Sequence, residues 1–100
     1  MLIAHVTFSV DEALRHHVLE RLSRDTSIVR SMEGCVAFVP FANPADSEEV
    51  GILHEWRSAE DFARYTSSET FARFQAELRP MMVAPPVSRR FEAELITVVK

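Results

Sequence analysis

Apolar Leu2, Ala4, Val6, Phe8 and Val10 alternate with Ile3, His5, Thr7 and Ser9, and this period of two predicts a first strand. Asp11 then reads as the cap of a helix whose apolar positions, Leu14, Val18, Leu22 and Val29, recur at spacings of four and seven. Arg15, Glu20 and Arg24 fall mostly on its outer side, and the helix should end before Gly34. Cys35 to Ala42 predicts a second strand stopped by Asn43-Pro44, and the acidic run Asp46 to Glu49 a solvated connection. In the third strand Val50, Ile52, His54 and Trp56 share one face, while Gly51, Leu53 and Glu55 look the other way. Ser58, with Asp61 three residues on, makes an N-cap, so a second helix should run from Ala59 to Arg79. Three hydroxyl residues, Thr66-Ser67-Ser68, offer a break and a fresh cap before Phe71, Phe74 and Leu78. Pro80, Pro85 and Pro86 force a loop, after which Val87 to Val99 predicts a long final strand.

Strand, helix, strand, strand, helix, strand is the ferredoxin-like βαββαβ order. The expected fold is therefore α+β, an antiparallel sheet with two helices on one face, and residues 1–100 form one domain. The second face of the sheet is expected to be apolar as well, for example at Ile96 and Val98 opposite Leu95 and Val99. With only two helices available, a second copy of the chain is the simplest cover, which predicts a homodimer.

Composition narrows the partners. Eleven Lys and Arg against fifteen Asp and Glu give a formal charge of -4, and the only adjacent basic pair is Arg89-Arg90, so nucleic acid is not an expected partner. Apolar runs such as Cys35 to Phe38 are far short of the roughly 20 residues that span a bilayer, and Met1 to Val10 lacks a basic leader. The expectation is a cytoplasmic protein with no membrane partner. Cys35, the single cysteine, reads as a small core residue without a neighbouring base. His16 and His17 are consecutive on a helix and point about 100° apart, so no metal site is expected.

Glu33-Gly34-Cys35 at the second strand, the run GILHEWRS, the helix ARYTSSETFARF and the late loop RPMMVAPP, taken in order, resemble the antibiotic biosynthesis monooxygenase family of dimeric α+β barrels. The resemblance implies that fold, a dimer, a small aromatic ligand and, in members that oxidise polycyclic phenols or quinols, oxygen chemistry with no cofactor. Trp56 matches the family's strand tryptophan. His54 stands where the family commonly has glutamate, and Tyr65 where it has histidine. The asparagine and tyrosine of the aromatic-polyketide oxygenases are replaced by Ile52 and Phe62. Related haem-degrading enzymes have tryptophan at the place of Tyr65 and an iron-binding histidine at that of Gln75, which speaks against haem breakdown.

Within that resemblance His54 is the expected catalytic base, since an imidazole titrates near working pH, and Tyr65 the donor to a developing enolate oxygen. Trp56, Phe62, Phe71 and Phe74 are the expected aromatic walls of the substrate site. The bland alternative makes each of these a core side chain. A functional alternative is a non-catalytic dimeric module that binds a small aromatic ligand or a protein partner, with His5 and His17 as added polar points. Whether Arg57, Arg89 or Arg90 reaches the cleft is left open by the sequence.

Overall fold

The computed structural model describes residues 1–100. Along the chain come β1 (Leu2–Ser9), a 3-10 turn (Glu12–Leu14), α1 (Arg15–Arg24), α2 (Thr26–Arg30), β2 (Cys35–Ala42) and β3 (Glu49–Trp56). They are followed by α3 (Ala59–Thr66), α4 (Glu69–Leu78), a second 3-10 turn (Arg79–Met81) and β4 (Val87–Glu92). The strands lie in the order β2-β3-β1-β4, all neighbours antiparallel, which is the ferredoxin-like arrangement expected of the α+β pattern.

β1 is central, and its register organises the site. Ala4 lies opposite His54 on one side and Arg90 on the other, while Phe38 of β2 lies opposite His54. These residues form one row across the helix-covered face. Beneath the helices Ala4, Phe8, Phe38, Val50 and Trp56 pack against Val18, Leu22, Val29, Phe62, Tyr65, Phe74 and Leu78. The alternation read in β1 and β3 is thus the inward stripe of the sheet.

The second helix breaks where the hydroxyl residues stand: Ser58 Oγ accepts from the Asp61 amide at 3.1 Å, and Ser68 Oγ from the Phe71 amide at 3.2 Å. Two expectations need correction. The first helix is not continuous, because α1 ends at Arg24 and α2 begins at Thr26, with Asp25 between them. There the Thr26 hydroxyl donates to the Leu22 carbonyl at 3.1 Å, a side-chain bond that competes with the helical ladder, while Arg21 holds the Asp25 carboxylate at 3.0 Å. Leu14, placed on the helix stripe by its spacing, sits in the preceding 3-10 turn and is 39% exposed.

The final strand stops at Glu92 and does not reach Val99. Glu92 pairs with Leu2, and Ala93 exchanges its last bonds with Met1, so residues 94–100 have no strand beside them. Leu95, Ile96, Val98 and Val99 consequently lie on an exposed arm and not on the sheet. The outer face is apolar through other residues: Val39, Leu53, Val87 and Phe91 are 38–59% exposed. On it the far end of the Phe41 ring fills the space over Gly51, where an added Cβ would come within 2.1 Å of the ring, and the ring stacks against His5 at 6.0 Å.

Candidate active site

Because residues 54 and 56 are two apart on β3, imidazole and indole enter the same interior. There the Trp56 indole N–H donates to His54 Nδ1 at 2.8 Å. This bond decides the tautomer: with its Nδ1 lone pair engaged, the neutral imidazole carries its proton on Nε2 and is a donor there. His54 is only 3% exposed, and burial, followed by the positive charge of Arg90, pushes its pKa down to about 4. The ring is therefore uncharged near neutral pH.

Around it stand Phe38 (ring centroids 5.4 Å), Phe62 (5.6 Å) and Tyr65 (5.9 Å), so His54 and Tyr65 share one side of the sheet. Residues 62 and 65 are neighbours on the inner face of α3, and Tyr65 stacks on Trp56 at 5.1 Å. Burial raises the Tyr65 phenol above its ordinary value, which keeps it protonated as a donor. No buried polar side-chain atom in the molecule lacks a partner. His54 Nε2 and the Tyr65 hydroxyl have none within the protein, so both open onto free space.

That space is a cavity of about 280 Å³ between α3, α4 and the sheet, to which both residues contribute. Phe62, Phe71 and Phe74 wall it together with Val6 and Ile52, and Thr66, Gln75, Ser88, Arg79 and Arg90 add polar atoms. The cavity is near the lower end of the range, roughly 300–1,000 Å³, that holds small molecules. Trp56, expected as a wall, does not line it: the indole is completely buried and acts behind His54 and Tyr65. Arg90 reaches the cavity. Arg89 points to the outer face, where its guanidinium meets His5 Nδ1 at 3.0 Å. Arg57, His5 and His17 are likewise absent from the lining.

A family model, antibiotic biosynthesis monooxygenase, matches residues 1–77. The chain belongs to this family. In fold it is similar to a Deinococcus radiodurans protein provisionally named an antibiotic biosynthesis monooxygenase, with a TM-score of 0.89 and 17% identity over 100% of both chains. It is similar also to Rv0793 of Mycobacterium tuberculosis, with a TM-score of 0.85 and 14% identity over 98% of each chain. A conserved protein of unknown function from Bacteroides thetaiotaomicron gives a TM-score of 0.84 at 22% identity, over 92% of this chain and 96% of that one. No curated protein matches the chain in sequence.

Within this family member, sequence reasoning missed Thr66, Gln75, Arg79 and Ser88 and left Arg90 undecided. Ser88 and Arg90 alternate with Val87 and Arg89, so period two would have set them on one face together. What it lacked was the register that aligns Arg90 with Ala4 and His54. No group of three or more His, Cys, Asp or Glu side chains is arranged so that it could hold a metal ion.

Proposed function

We propose that this family member is a monooxygenase that oxidises a small aromatic phenol or quinol with dioxygen, using electrons from the substrate itself. The observation that carries the reading is an aromatic-walled cavity into which a neutral His54 presents an unpartnered Nε2–H. A phenol oxygen set against that N–H becomes more acidic, and its proton leaves to water at the cavity mouth. The anion passes one electron to dioxygen, the substrate radical and superoxide join in a carbon–oxygen bond, and the peroxide takes up a proton. At a ring carbon that bore one hydrogen in the phenol, loss of that hydrogen with the outer oxygen as water then leaves a carbonyl, so one oxygen atom ends in product and one in water.

The sequence pointed to His54 as base. Its Nδ1 is occupied by Trp56 and its Nε2 is protonated, which suits a donor that stabilises the anion. Tyr65 supplies a second donor, and the phenylalanine rings position a planar molecule and limit access of water. A homodimer formed through the outer sheet face is part of the reading, supported by exposed Val39, Leu53, Val87 and Phe91.

An oxygen electrode with a panel of quinols and anthrones tests the activity. Uptake should occur with at least one member and fall about 10²–10³-fold in His54→Ala, the scale of a lost anion-stabilising donor. Absence of uptake across the panel would favour a non-catalytic binder.

A further inference from the structure

The cavity is electrically at odds with the molecule around it. The chain carries an excess of acids, yet the lining includes Arg79 and Arg90 and not one Asp or Glu. Neither guanidinium has a carboxylate partner elsewhere: Arg79 donates to Gln75 Oε1 at 3.2 Å, and Arg90 Nε donates to Ser88 Oγ at 3.3 Å. Arg21, with Glu77 and Asp25, and Arg64, with Asp61 and Glu33, are the only arginines paired with carboxylates, so what marks Arg79 and Arg90 is their place at a cavity that holds no acid. Two cations left unpaired at a cavity are a feature to be explained by what enters it.

Arg90 is the better placed of the two. Its guanidinium carbon lies 4.9 Å from the centroid of Phe62, which holds the group at the wall, and its outer nitrogens make no bond within the protein. Ala4 separates it from His54 in the row across β3, β1 and β4. Strands about 4.8 Å apart set the two backbones roughly 10 Å from one another. Ala4 itself is fully buried, and the next inward pair along the same strands, Val6 and Ile52, forms the floor on which an aromatic ring can lie. Arginine in its bidentate mode suits a planar group with two oxygens. A phenol, titrating near 10, is neutral before binding, whereas a carboxylate arrives already charged and matches a standing positive charge.

Resting on the oxygenase reading of this cavity, we propose that its substrate is a hydroxylated aromatic carboxylate, with the carboxylate on Arg90 and the ring oxygen at His54 Nε2. Arg90 is then the specificity-determining residue, and it also favours the neutral form of His54 through its charge. The site selects a ligand that bridges a fixed cation at the mouth and a fixed donor inside.

Isothermal titration with 2-naphthoate and its uncharged isostere 2-naphthamide tests this without knowledge of the natural substrate. The acid should bind at least tenfold more tightly than the amide. Arg90→Met, which keeps a stem over Phe62, should erase that preference while amide binding persists, and Arg90→Lys should restore part of it. Equal binding of acid and amide by the wild type would overturn the carboxylate assignment and leave the aromatic cavity intact. A preference that survives Arg90→Met but disappears in Arg79→Met would also overturn it. Binding of neither probe would sink the aromatic-site reading and this inference with it.

Discussion

A single hydrogen bond sets the chemistry of His54. With Trp56 on Nδ1, the side chain is a neutral donor, and it remains one while the pH stays above its lowered pKa of about 4. In the unfolded chain the same imidazole takes a proton near 6.5, so between these values unfolding binds a proton and stability rises with pH. The contribution is fully present above about pH 6.5 and lost as pH falls toward 4, amounting to roughly 3 kcal/mol for a shift of this size. Urea denaturation at pH 4.5 and 7 should therefore show a steeper loss of stability on acidification in wild type than in His54→Gln. Equal slopes in the two proteins would rule out His54 as the source. Two residues apart on a strand was enough to place His54 and Trp56 together, but which imidazole nitrogen the indole N–H meets depends on ring orientations, and the rings packed around them, Phe38, Phe62 and Tyr65, come from other elements.

At the scale of elements, local patterns read well wherever the deciding groups are adjacent in the chain. Ser58 and Ser68 each cap the helix that follows them, as hydroxyls at those positions suggest. The helix that Ser68 opens carries Phe71 and Phe74, both of which line the cavity. Ser68→Ala should cost about 1 kcal/mol in thermal or chemical denaturation, the usual loss for an N-cap. A change within about 0.3 kcal/mol would mean that the cap is dispensable and that packing of Phe74 and Leu78 alone holds α4. Apolar alternation in Val87 to Val99 was a weaker guide, since a strand also needs a neighbour, and β1 offers β4 none beyond Met1. The break at Asp25 has a local cue that apolar spacing alone does not carry, the Thr26 hydroxyl turned back onto the Leu22 carbonyl.

At the scale of the whole molecule, the outer sheet face carries apolar surface that the helices do not cover. Val39, Leu53, Val87 and Phe91 remain in water along with the apolar arm after Ala93, and a second copy would bury both at once. Sedimentation equilibrium should return twice the 11.4 kDa of the chain, and Leu53→Glu combined with Phe91→Glu should reduce the mass to that of one chain. A wild type that sediments as a single chain at micromolar concentration would refute the dimer.

The sequence by itself determined the order of strands and helices, the inward stripe holding His54 and Trp56, the helix caps and the family, because each is written in neighbours a few residues apart. Only the tertiary structure decided that Trp56 stands behind the cavity, that Arg90 faces it and Arg89 does not, and that β4 stops at Glu92. These outcomes follow from strand register. Sliding β4 by one residue along β1 would exchange Arg90 for Arg89 on the cavity side, and the β1 partners that fix the register lie 80 to 90 positions away along the chain.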